Sequence, residues 1–110
     1  MTSTSLQILD ASQDGLSRTV EKALEQEQLA SRTEQSYAHW ICRFFQFHDL
    51  PDPDALDERH ARDFVRDLTE RLKLSRARIN QAEQAMDFLY RRVLGFSQAP
   101  NRFGDIAIAG

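Results

Sequence analysis

Apolar residues recur with a helical period most clearly in residues 31–50. The apolar positions recur at spacings of three and four, which places them on one face of a helix. They are Tyr37, Trp40, Ile41, Phe44 and His48. The opposite face carries cations and hydrogen-bond donors without a carboxylate, namely Arg32, Gln35, His39, Arg43 and Gln46. Ser31 with Glu34 predicts a capping box at the start of this helix, and Pro51 predicts its end near Asp49.

Three further segments show helical patterning. The first covers about residues 16–29, has a thin apolar stripe and is expected to be capped by Ser17. Asp57 is expected to cap the third helix, whose stripe is Ala61, Phe64, Val65, Leu68 and Leu72. Ser75 is expected to start the fourth, whose stripe is Ile79, Ala82, Met86, Leu89 and Val93. Gly95 stands where a left-handed C-terminal cap is expected.

These elements predict an all-α fold, in which four short helices pack as one bundle in a single domain over residues 16–95. Residues 1–15 show no helical stripe and are expected to be disordered or loosely attached. Residues 96–110 also lack a helical period, and Pro100 and Gly104 interrupt them, so we expect a linker or a frayed tail.

Charge is unevenly distributed along the chain. The net charge is −3 over 110 residues, which argues mildly against a nucleic-acid partner. Residues 31–48 and 75–94, however, carry net charges of +1 and +2, so a local cationic surface forms if they lie side by side. A lone cysteine, the absence of a signal-peptide pattern and the absence of a long apolar run predict a cytoplasmic protein that does not cross a membrane.

The sequence offers little for catalysis. The three histidines are not spaced as metal ligands, and His48 is better explained as a helix-end residue. Cys42 has no base beside it in sequence and is expected to be packed and inert. We therefore predict no catalytic residue, no metal and no cofactor, and a small enzyme is the least favoured interpretation.

Binding to DNA is a better hypothesis. On the fourth helix the stripe opposite the apolar one consists of Asn80, Gln84, Asp87 and Arg91. Arg76 and Arg78 stand in the first turn of that helix, where backbone N–H groups also attract anions. Amide and guanidinium groups can contact base edges or phosphates, although the same residues also suit an ordinary solvated helix face.

Two blocks of sequence resemble a known family. The first is SRTEQSYAHWICRFFQFHDL, which is similar to the opening of the N-terminal SAM-like, or core-binding, domain of tyrosine recombinases, in the integron- and phage-integrase branch. Its matching positions are Ser31, Arg32, Thr33, Glu34, Gln35, Tyr37, Trp40, Arg43, Phe44, Phe47 and His48. The second block is NQAEQAMDFLYRRVLG, with matches at Asn80, Gln81, Ala82, Ala85, Phe88, Leu89, Tyr90 and Arg91. The resemblance spans about residues 16–95.

The resemblance implies a SAM-like orthogonal four-helix bundle that forms half of a clamp around duplex DNA, with its second and fourth helices across the major groove. On the second helix the implied DNA-facing residues are Arg32, Thr33, Gln35, Ser36, His39 and Arg43. On the fourth they are Arg76, Arg78, Asn80, Gln84 and Arg91. The family's catalytic tyrosine belongs to a separate C-terminal domain, so this chain is expected to bind DNA in recombination and integration without cleaving it.

A rival interpretation is a helical protein–protein interaction module that does not bind DNA. The acidic pI of about 5.5 favours the rival, whereas the outer face of the second helix favours DNA. Under the DNA hypothesis we expect the isolated chain to be monomeric, with duplex DNA and a catalytic domain of the parent recombinase as its partners.

Overall fold

The computed structural model describes residues 4–96, and the all-α prediction is confirmed there: these residues contain α-helices and no strand. The α-helices are α1 (Leu16–Gln26), α2 (Ser31–Phe47), α3 (Glu58–Glu70) and α4 (Arg76–Phe88). Short 3₁₀ helices cover Thr4–Ala11 and Pro53–Ala55, and a π-helical turn, Leu89–Val93, continues α4. Within this part of the chain, no helix is long and apolar enough to span a bilayer.

Helix α2 lies at the centre of the molecule. Its buried side chains include Trp40, Ile41, Phe44 and Phe45, all at most 1% exposed. The Phe44 ring packs edge-on against Phe64 of α3, with ring centroids 5.6 Å apart. The largest helix–helix contact is between α2 and α4. Trp40, Ile41 and Phe44 of the predicted aromatic stripe are therefore part of the core of the fold.

The predicted starts of α3 and α4 are confirmed. Both helices begin at a side chain that accepts a hydrogen bond from a nearby backbone N–H group. The Asp57 carboxylate accepts the Arg59 backbone N–H at 2.9 Å, and the His60 ring closes a capping box by accepting the Asp57 N–H. The Ser75 hydroxyl accepts the Arg78 N–H at 3.3 Å. Such side-chain acceptors satisfy N–H groups that have no partner within the helix.

The predicted caps of α1 and α2 are wrong. Helix α2 has Ser31 as its first residue and Ala30 at the N-cap, with no side-chain cap, so Ser31 and Glu34 form no capping box. Helix α1 is preceded by Gly15 in the left-handed region, at φ 84°. The Ser17 hydroxyl and backbone N–H instead donate to the Asp10 carboxylate, both at 3.0 Å.

The N-terminal segment differs from the expected loose attachment. Residues 4–11 form a 3₁₀ helix that packs on α1 and α2, and Leu6 and Leu9 are 2% and 0% exposed. Their spacing of three places them on one side of a 3₁₀ helix, which has three residues per turn. Burial of two leucines and the bonds from Ser17 to Asp10 fix this segment to the bundle.

The last described residues are bonded to the N-cap of α3 and to one another. Tyr90 is fully buried and its hydroxyl donates to the Asp57 carbonyl at 2.6 Å, which ties the π-helical turn to the start of α3. Gly95 adopts φ 82°, which confirms the expected left-handed cap. The Phe96 N–H then donates to the Tyr90 carbonyl, and the two rings lie 5.0 Å apart. The prediction for the rest of the tail, 97–110, lies outside the described residues.

Candidate nucleic-acid interface

The packing of α2 against α4 brings cations from both helices to one buried ring. The guanidinium carbons of Arg43 and Arg78 lie over the Trp40 indole, 5.4 and 5.7 Å from its centroid. Trp40 itself is 1% exposed, so the ring is part of the core. His39 packs edge-on against the same indole at 4.9 Å. The convergence of these three cationic or titratable groups is a tertiary feature, because Arg78 lies 35 positions or more from the others.

The two arginines also affect the pKa of His39. Burial, and then the charges of Arg43 and Arg78, lower the pKa of the His39 imidazole. At neutral pH the ring is therefore predominantly neutral in the unbound protein. An anion placed beside it would favour the charged form and raise its pKa.

The other DNA-facing residues expected on α2 lie along its N-terminal half. Arg32 and Gln35 are exposed, whereas Thr33 and Ser36 are half-buried. Arg43 is also half-buried, since it lies over Trp40. No described contact joins the four residues nearer the N-terminus to the Trp40 cluster.

The expected residues of α4 divide into two groups. Arg76, Arg78, Asn80 and Gln84 are exposed on the helix, and burial raises the pKa of the nearby Glu83 while Arg76 opposes that rise. Arg91 belongs to the π-helical turn and not to α4. Its Nη1 lies 3.6 Å from Oδ2 of Asp87, so an internal carboxylate offsets its charge. The structure therefore groups Arg78 with α2 and leaves Arg91 apart.

Sequence reasoning missed two features of this region. Trp40 was assigned only to the core, although its spacing of three from Arg43 on a helix was a signal for a contact. The ion pair between Arg92 and Glu27, at 3.0 Å, joins the π-helical turn to the end of α1. No local signal predicts that pair, since 64 residues separate its members.

The residues considered for catalysis have other roles in the described part of the chain. His48 caps the end of α2, as expected of a helix-end residue, and its Nε2 lies 2.8 Å from the His60 carbonyl. Cys42 is buried, and burial raises the pKa of its thiol to about 11. Residues 4–96 hold no group of three or more side chains suited to a metal ion. What the region does offer is a set of cations and amides on α2 and α4, a combination suited to phosphate contacts.

Comparison with known proteins identifies the family. Residues 16–98 match the family model described as phage integrase, N-terminal SAM-like domain. Two curated relatives, both named integrase/recombinase, come from Escherichia coli and Pseudomonas aeruginosa. Each is 36% identical over 63 residues, which is 57% of this chain and 19% of the relative. The chain thus spans about a fifth of the length of these relatives, and no solved structure matches it significantly. Since the family model covers most of the chain, the suspected resemblance is confirmed, and the chain belongs to the family of phage-integrase N-terminal SAM-like domains.

Proposed function

We propose that this chain is the DNA-binding, core-type domain of an integrase-like tyrosine recombinase, and that it contacts duplex DNA through the outer faces of α2 and α4. The observation that carries the proposal is the convergence of Arg43 and Arg78 from these two helices on Trp40. Two cations that lie against one ring of an otherwise acidic chain suit a polyanion better than they suit solvent. The integrase family and the integrase/recombinase relatives support the same role.

The proposed interface consists of Arg32, Thr33, Gln35, Ser36, His39, Arg43, Arg76, Arg78, Asn80, Gln84 and Arg91. Within it, phosphate contacts dominate and base preference is modest, since most of the set are cations or hydroxyls. The amide side chains of Asn80 and Gln84 are exposed on α4 and are the candidates for reading adenine edges.

The family match is to an N-terminal domain alone, and we propose that strand cleavage belongs to a separate catalytic domain of the parent recombinase. The isolated chain then binds DNA weakly, because a linked second domain would supply a high effective concentration for the other half of the clamp. It is monomeric without DNA under this proposal.

The test is fluorescence anisotropy with a labelled duplex of about 24 base pairs across a salt series. We expect a log–log slope of about −2 to −4, which corresponds to two to four neutralised phosphates. Arg43→Gln and Arg78→Gln should each weaken binding and reduce the slope by about 1. Arg18→Gln removes the same charge from an exposed position on α1 and should change neither value. Absence of binding at low salt, or equal losses in all three variants, would reject the proposal.

One observation favours the rival, a protein–protein module. Phe47 at the end of α2 is 41% exposed, and it borders a groove along α3 that also contains His48 and Asp67. An interaction module should associate by itself, so light scattering after gel filtration without DNA separates the two functions. A stable dimer that Phe47→Ser converts to monomer would favour the rival.

A further inference from the structure

The arrangement around Trp40 leaves the hydrogen-bonding groups of two arginines available. A cation–π contact leaves most N–H donors of a guanidinium group free for other partners. Arg43 on α2 and Arg78 on α4 both lie over Trp40, so their guanidinium carbons are at most about 11 Å apart. Both cations therefore lie against the same buried ring, although they come from different helices.

Neither arginine forms an ion pair with another residue of the described part of the chain. Within residues 4–96 no carboxylate oxygen lies within 4 Å of either guanidinium group, unlike those of Arg59, Arg71, Arg91 and Arg92. The Arg43 charge does reach Asp67, whose pKa it helps to lower. The Asp67 oxygens, however, accept from Nε and Nη2 of Arg71 at 2.7 and 2.9 Å. The Asp67 carboxylate is therefore already paired with another arginine.

We propose that Arg43 and Arg78 act together as one phosphate-binding pair, with Trp40 as the positioning residue that holds both guanidinium groups. This inference rests on the proposed function, under which the ligand is a phosphate group of DNA. The arginine pair nevertheless suits any accessible phosphate group, because the N–H donors of a guanidinium group match two phosphate oxygens at once. His39 lies beside the pair and gains a proton more readily when the anion is bound.

Trp40 is the sole tryptophan of the chain, so its fluorescence reports on the pair directly. The first experiment titrates the protein with sodium pyrophosphate at constant ionic strength, with sodium chloride as the balancing salt. We expect a saturable change in Trp40 emission that disappears in the Arg43→Gln/Arg78→Gln double variant and persists in Arg18→Gln. A change that does not saturate, or that the double variant retains, overturns the site.

The second experiment separates positioning from packing. Trp40→Phe keeps an aromatic ring in the core but weakens the contact with both cations, so DNA affinity should fall about three- to tenfold. The salt slope should also become shallower by about 1, because the arginines are no longer held together. Phe45→Leu is the control: it alters a fully buried ring on α2 and should leave the slope unchanged. Circular dichroism verifies that each variant is folded.

The outcomes distinguish this inference from the proposed function. If the protein binds pyrophosphate saturably but does not bind duplex DNA, the phosphate-binding pair is supported and the DNA-binding role is rejected. DNA binding with an unchanged salt slope in Trp40→Phe would support that role and overturn the positioning role of Trp40. If Trp40→Phe is unfolded, the pyrophosphate titration of the wild-type protein and its arginine variants decides the inference. A saturable change in Trp40 emission that is lost only in the double variant supports the phosphate site, and any other result overturns it.

Discussion

Replacement of Leu9 by alanine should strongly destabilise the whole domain. Leu9 belongs to the N-terminal 3₁₀ helix and is 0% exposed, within the same core cluster as the aromatic rings of α2. Truncation of a fully buried leucine costs about 3 kcal/mol, the sum of lost burial and the cavity that remains. In a domain of this size that loss lowers the melting temperature by roughly 10–20 °C.

The assay is urea unfolding followed by circular dichroism, since a loss of about 3 kcal/mol moves the midpoint by about 1.5 M for a slope of 2 kcal/mol per molar. Gln7→Ala is the matched control, because Gln7 lies on the same 3₁₀ helix but is exposed. It should change the free energy of unfolding by less than about 0.5 kcal/mol. Equal, small effects of both substitutions would refute the claim that this segment is part of the core.

Three further outcomes follow from the described contacts. Tyr90→Phe should lower the free energy of unfolding by about 1 kcal/mol in urea titrations, because it removes the 2.6 Å bond to the Asp57 carbonyl. Between pH 7.5 and 5.5, DNA affinity measured by anisotropy should rise as His39, whose pKa is lowered in the unbound protein by burial and two arginines, takes up a proton beside phosphate. His39→Gln should abolish that rise and His48→Gln should not. Cys42, with its pKa raised to about 11, should react with a disulfide reagent at pH 8 roughly 100-fold more slowly than an exposed thiol, and equal rates would contradict its burial.

What the sequence predicted well was local. The caps of α3 and α4 follow from Asp57 and Ser75, whose side chains bond to N–H groups two or three residues away. The same reasoning failed at Ser31, which has the residue type of a cap but stands one position too late, as the first residue of α2. A capping preference of about 1 kcal/mol is small enough for packing of an aromatic helix to determine where the chain enters it.

The N-terminal segment shows a second limit of sequence reasoning. In this segment Leu6 and Leu9 stand three residues apart, and a single pair is too short a pattern to establish a helical period. The carboxylate of Asp10 then completes the start of α1, and its bond from the Ser17 N–H is the largest cause that lowers the pKa of Asp10. A segment without an amphipathic pattern can therefore contribute both core volume and a helix cap.

The candidate site depends both on local sequence, which can be read in advance, and on tertiary packing, which cannot. Its residues could be selected from the polar faces of two helices, but the pairing of Arg43 with Arg78 depends on how α2 and α4 pack. That packing is fixed by the apolar faces, and Trp40 takes part in both: it is buried in the core and lies beneath the two cations. The geometry of the charged surface is thus set by a core residue. A substitution at Trp40 should alter phosphate binding without changing a single charge, whereas a substitution at the exposed Arg32 should remove one charge and leave the geometry of the pair intact.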